Sequence, residues 1–148
     1  MYHSAKNLYH AKANFKNILE AAVGTRKLIR AFAYLIKTET GEETAFIEAL
    51  EKAGYENKIK DLQVFSGGAK KADWDVGMAI DAVILADKID VAVIVSGDGD
   101  FIPLVEYLKI NKGLKVEAMS FGRSTSMKLK EAVDVFHDLE SDKKFLIH

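Results

Sequence analysis

Cysteine is absent from this sequence, and with it go disulfide staples, thiolate zinc sites and cysteine nucleophiles. Any metal must be held by oxygen or imidazole donors. Proline occurs once, and no stretch is rich in Pro, Gly or Ser, which excludes collagenous, low-complexity and linker-dominated chains. No apolar run reaches the ~18 residues of a membrane span, and the opening MYHSAKNLYHAK lacks the apolar core of a signal peptide, so a cytoplasmic chain is expected. Histidine is scarce, and the four present, at positions 3, 10, 137 and 148, have no metal-ligand spacing. No P-loop, GxSxG or GxGxxG occurs, so those chemistries lack support.

What is present is 148 residues, 49% hydrophobic and 29% charged, the composition of a single globular domain spanning 1–148. The net charge of −1 hides a gradient. Residues 1–72 carry 12 Lys and Arg against 8 Asp and Glu, whereas residues 73–148 carry 9 against 14. Between Asp73 and Asp100 lie seven aspartates, no glutamate and a single lysine, Lys88.

Helix-like and strand-like segments alternate, the pattern of βαβ units and a parallel sheet. Asn14 is placed to cap a helix to about Ala22, ending before Gly24. Leu28 to Ile36 reads as a strand covered on both faces. An amphipathic helix follows from about Glu42 to Ala53, and then a weaker strand from about Ile59 to Phe65. Residues 72–89 are apolar on most sides and predict a mostly buried helix. Val91 to Ser96 is a second core strand, followed by a helix over about Phe101 to Ile110 with Pro103 in its first turn. Leu114 to Met119 predicts a more exposed strand. The tail holds a short helix near Thr125 to Ala132 and an apolar segment, Val133 to Leu139, of undetermined type.

The strongest chemical signal is Ser96-Gly97-Asp98-Gly99-Asp100-Phe101 at the carboxyl end of the Val91 strand, where open α/β sheets place their ligands. Two glycines allow a tight turn that points both carboxylates into one space. Such like charges repel unless a cation lies between them, and Mg²⁺ or Mn²⁺ prefers oxygen donors of this kind. The plainer alternative is a turn with Asp100 as helix cap, which accounts for one aspartate and not two. Upstream, Asp75 lies near a helix start and Asp81 sits among Ala79, Ile80, Ala82 and Val83, where an ionised carboxylate needs a partner or a metal. Six residues separate them, so they do not share one helix face squarely. Asp73 is most simply an N-cap.

Lys70 and Lys71 precede this helix and are candidates for contacting a phosphate backbone, or simply solvated. Arg123-Ser124-Thr125-Ser126 either binds an anion at a helix start or caps it conventionally. Trp74 reads as a packing residue, although a ring beside an acidic site is also able to stack on a base.

The segments KKADWDVGMAIDAVILAD and VAVIVSGDGDFIPLVEYLKINKGLKVEAMSFGRSTSMKL together resemble the NYN-domain branch of the PIN-like ribonuclease superfamily, including LabA-like proteins. The resemblance implies a three-layer, Rossmann-like α/β domain with a central, mostly parallel sheet, and metal-dependent hydrolysis of RNA by clustered carboxylates holding Mg²⁺ or Mn²⁺. Carried over by position, Asp75, Asp98 and Asp100 become metal-site and catalytic residues, Asp81 a further metal candidate and Ser96 a supporting hydroxyl. For such an activity, the residues' own chemistry makes Lys70, Lys71, Arg123 and Ser124 the expected substrate-binding set. Family members open with an apolar strand ending in an aspartate, and the present sequence begins where that strand would have ended. The first acidic ligand therefore has no counterpart. A start assigned too late, a shortened chain, direct pairing of the Leu28 and Val91 strands, and oligomerisation would each account for this. The competing functional readings are a noncatalytic NYN-like module binding RNA or protein and a small-molecule phosphohydrolase. Against the phosphohydrolase, Ile102 stands where aspartate-nucleophile phosphatases carry Thr.

Overall fold

The computed structural model describes residues 12–37, 43–61, 63–64, 70–71 and 74–147. The described strands are β1 (Lys12–Ala13), β2 (Phe32–Lys37), β3 (Glu56–Asp61), β4 (Gln63–Val64), β5 (Lys70–Lys71), β6 (Val91–Ile94), β7 (Lys115–Ser120), β8 (Val135–Asp138) and β9 (Leu146–Ile147). The helices are α1 (Phe15–Val23), α2 (Thr44–Ala53), α3 (Asp75–Leu85), α4 (Ile102–Ile110) and α5 (Met127–Ala132), with short 3₁₀ turns between them. β6, β7 and β8 form a parallel sheet with β7 in the middle, and β2 and β3 form a separate parallel pair. Among the described residues β2 and β6 are not hydrogen-bonded neighbours, so the Leu28 and Val91 segments do not pair directly. β1 with β9 and β4 with β5 are short antiparallel pairs.

Strand alternation divides the core into two. Ile94 of β6 and Val116 and Ala118 of β7 face a cluster with Leu104, Val105 and Leu108 of α4 and Leu129 of α5. Val93 and Met119 face the other way, packing with Val95, Ile18 of α1, Phe121, Leu139 and Phe145. Helices thus cover both sides of a parallel sheet, the α/β architecture expected from the alternating pattern.

Several local expectations hold. Asn14 Oδ1 accepts the Asn17 N–H at 3.1 Å to cap α1, and Gly24 closes that helix at φ 56°. Pro103 lies in the first turn of α4. Others are corrected. The strand expected over Leu28 to Ile36 begins only at Phe32, leaving Leu28 and Ile29 exposed, and the weaker strand begins at Glu56 rather than Ile59. β7 is not exposed but buried from Val116 onward, because layers on both sides close over it. α3 is not mostly buried. Its small residues Ala79 and Ala82, with Met78, pack on the core, while Val76, Ile80, Val83 and Ile84 remain exposed.

Among the described residues Glu117 is the one charged side chain that is buried, at 3% exposure in the central strand. Arg26 grips it with Nη1 to Oε2 at 2.7 Å and Nη2 to Oε1 at 3.2 Å, and His137 Nε2 donates to Oε1 at 2.8 Å. The Arg26 hydrogen bonds pull its pKa down to about 2; burial opposes this but is outweighed, and His137 adds to the lowering. A depressed carboxylate pKa supplies stability that is complete above the unfolded-chain value of 4.5 and lost as pH falls toward 2. Glu117→Gln should therefore cost about 3 kcal/mol in urea unfolding at pH 7. Its unfolding midpoint should also fall less steeply than that of the parent protein between those two pH values, and parallel pH profiles would contradict the assignment.

Candidate metal centre

Ser96 to Phe101 leave the carboxyl end of β6 and run into a 3₁₀ turn that leads into α4. Asp98 is the residue that caps this turn, its Oδ1 accepting the Asp100 N–H at 2.8 Å; the capping role expected of Asp100 belongs instead to Asp98. Ser96 Oγ in turn accepts the Asp98 N–H at 3.2 Å, so the Ser96 hydroxyl supports the aspartate from behind.

The glycines serve close approach rather than unusual dihedrals, since neither Gly97 nor Gly99 has a positive φ. A Cβ on Gly97 would lie 2.8 Å from Ser120 Oγ, 2.9 Å from Thr125 Oγ1 and 3.0 Å from the Ser124 carbonyl. On Gly99 it would lie 3.0 Å from Ser126 Oγ. The Ser126 N–H donates to the Gly97 carbonyl at 3.0 Å, tying the acidic loop to the segment that follows β7.

Asp75, the first residue of α3, completes the arrangement. Asp75, Asp98 and Asp100 each offer one carboxylate oxygen, and the three oxygens lie within 4.8 Å of one another. Asp75 is half-buried, and the other two are exposed. Ligand oxygens around an octahedral Mg²⁺ at ~2.1 Å stand roughly 3 to 4 Å apart, so small side-chain adjustments bring these carboxylates to a hard divalent ion. The donor set fits such a metal.

The remaining sequence-derived candidates divide. Asp81 lies outside this group: its Oδ2 accepts from Lys58 Nζ at 2.7 Å and from Tyr34 Oη at 2.9 Å. Burial works against its ionisation, but the hydrogen bonds from Lys58 and Tyr34 outweigh that and hold its pKa below the usual aspartate value. Burial and the Asp81 carboxylate both push the Tyr34 phenol up. Arg123 Nε pairs with Glu140 Oε2 at 3.2 Å, and its backbone N–H donates to Oε1 at 3.0 Å. Ser124 Oγ donates to the Phe121 carbonyl, and Ser126 Oγ caps α5 by accepting the Leu129 N–H, the conventional capping alternative for this segment. Lys70 and Lys71 form β5, with their side chains outside the described set, and Asp73 also lies outside the described residues. Sequence reasoning missed the Lys58 and Tyr34 partners of Asp81, because nothing in the spacing of three distant segments signals that they meet.

A cleft of about 400 Å³ beside Met119, His137, Asp138 and Phe145 shares no residue with the carboxylate group. The carboxylate cluster is exposed and lies apart from this cleft. Because backbone and hydroxyl atoms crowd Gly97, Gly97→Ala should lower stability by about 1–3 kcal/mol, more than Gly99→Ala. Equal thermal midpoints for the two variants would refute the close-approach account.

Three comparisons bear on identity. The NYN domain family model matches residues 2–140. The Low amplitude and bright protein LabA of Synechococcus elongatus is 28% identical over 126 residues, covering 81% of this chain and 67% of that protein. A crystal structure of a protein of unknown function, VPA0982 from Vibrio parahaemolyticus, superposes with a TM-score of 0.90 at 30% identity, covering 99% of this chain and 89% of that one. With the NYN model spanning nearly the whole sequence and the parallel α/β architecture to match, the chain belongs to the NYN domain family, whose fold is of the PIN-like nuclease type.

Proposed function

We propose that this protein is a metal-dependent ribonuclease that hydrolyses phosphodiester bonds of RNA, with Asp75, Asp98 and Asp100 as the residues that hold Mg²⁺ or Mn²⁺. The observation that carries this reading is the convergence of three carboxylate oxygens within 4.8 Å, supplied by two segments separated by more than twenty residues. One carboxylate can be explained as a cap, but a group of three that repel one another is better explained by a cation. When bound, such an ion would polarise an attacking water and neutralise charge growing on the phosphate.

The chain's own residues have defined parts. The Asp100 N–H fixes one oxygen of Asp98, which orders the carboxylate before any ligand arrives. Ser96 braces the same loop. Asp81 is assigned the holding of α3 against β2 and β3, through Tyr34 and Lys58, and thereby the placement of Asp75. Lys70, Lys71, Arg123 and Ser124 form the proposed path of approach for RNA, with the Arg123 guanidinium exchanging Glu140 for a phosphate.

The test is cleavage of an end-labelled single-stranded RNA with Mn²⁺, with an EDTA control and the Asp98→Asn/Asp100→Asn double variant. The expected result is cutting that stops in EDTA and falls more than about a hundredfold in the variant, beyond the cost of disturbing an outer partner of a metal ligand. Cutting that survives either treatment would refute the metal mechanism. RNA retention by the parent protein without any cutting would replace it with a noncatalytic RNA-binding module.

A further inference from the structure

The residue immediately before Asp75 is the only tryptophan of the chain, and its indole is fixed in place from several directions. Trp74 Nε1 donates to the Leu35 carbonyl of β2 at 2.8 Å. The Tyr34 ring lies 5.4 Å away at an interplanar angle of 55°. Gly77, in the first turn of α3, leaves room for the six-membered ring, where a Cβ would come within 2.7 Å of Cε3. Trp74 is nevertheless only half-buried. Its position therefore does not depend on a ligand, and part of its surface is open to one.

The second feature is Lys60. In the β2–β3 register Tyr34 is opposite Lys58 and Ile36 opposite Lys60, so both lysines lie on the sheet face that meets α3. Their fates differ. Lys58 is neutralised by Asp81 at 2.7 Å, whereas Lys60 forms no ion pair among the described residues and instead holds its ammonium 4.6 Å from the centre of the Trp74 ring. A cation held on the face of an aromatic ring that is itself one residue from the carboxylate cluster offers the two elements that bind a single-stranded nucleotide: a flat surface for the base and a mobile positive charge for its phosphate. The lysine stem is flexible enough to leave the ring as a base arrives. Double-stranded RNA keeps its bases stacked within the helix, so the ligand is single-stranded.

We infer that Trp74 and Lys60 form a nucleotide subsite of single-stranded RNA flanking the carboxylate cluster, with the base stacked on the indole and the phosphate paired to the lysine. The inference deepens the ribonuclease reading and rests on it for the identity of the ligand. It assigns substrate contacts to β3 and to the start of α3, apart from the Lys70, Lys71, Arg123 and Ser124 set.

The single tryptophan makes the test direct, and binding in EDTA separates it from cleavage. Titration of the protein with a short oligouridylate should quench indole emission saturably, while an abasic oligomer of equal length should not. Lys60→Ala should weaken binding roughly tenfold and reduce the magnitude of the log affinity–log salt slope by about 0.7, one phosphate contact on a single strand. Trp74→Phe, read by anisotropy of labelled RNA, should also weaken binding, and Lys52→Ala on the exposed part of α2 should not. Oligouridylate binding with unchanged indole emission, or an unchanged salt slope in Lys60→Ala, would overturn the subsite. Absence of RNA binding in EDTA would do the same, whereas the ribonuclease reading stands or falls separately on metal-dependent cutting and its loss in Asp98→Asn/Asp100→Asn.

Discussion

Helix α3 touches both halves of the divided sheet, and the Asp81 carboxylate is the contact that fixes it on one side. Lys58 Nζ and Tyr34 Oη converge on Asp81 Oδ2, and Trp74 adds a hydrogen bond to the Leu35 carbonyl at the start of the helix. On the other side Met78, Ala79 and Ala82 pack on the core of the three-stranded sheet. Without this double attachment Asp75 would have no fixed relation to Asp98 and Asp100, which belong to the three-stranded half. A partly buried carboxylate matched by two donors keeps its charge at modest cost, because its desolvation is offset locally.

The second constraint is backbone proximity. Gly97 and Gly99 let the loop after β6 lie directly on the segment after β7, and the Ser126 to Gly97 hydrogen bond closes that contact. The consequence is an acidic loop whose aspartates project from a rigid support rather than from a free turn. Preorganisation of this kind matters for like charges, since their repulsion would otherwise open the loop. Glu117 performs a comparable service deeper in the sheet, where a single buried carboxylate joins the loop after α1 to β7 and β8 through Arg26 and His137.

Much of this was legible in the sequence where the signal is local. Cap and terminator residues placed α1, Pro103 marked the start of α4, and the β-branched run at Val91 gave a core strand. The SGDGDF segment marks two of the three grouped carboxylates, and the family resemblance adds Asp75. What sequence pattern missed is nonlocal. The apolar character of residues 72–89 predicted burial, yet only the small-residue side of α3 packs inward, because hydrophobicity on every side of a helix does not say which neighbours exist. β7 read as exposed because Lys115 and Glu117 alternate with apolar residues. The structure gives Glu117 partners from 91 and 20 residues away, which no spacing rule anticipates. The tight turn expected of the glycines forms, and what local pattern does not reveal is that their missing Cβ atoms also admit residues 120 to 126.

The most direct measurement of the central claim is a calorimetric titration of Mn²⁺ into the parent protein and into Asp75→Asn, with far-UV circular dichroism confirming that the variant is folded. If the three carboxylates form one cation site, the parent protein binds Mn²⁺ saturably, and the variant loses at least about tenfold in affinity although Asp98 and Asp100 are untouched. Equal binding by the two proteins, or no binding by either, would contradict the account.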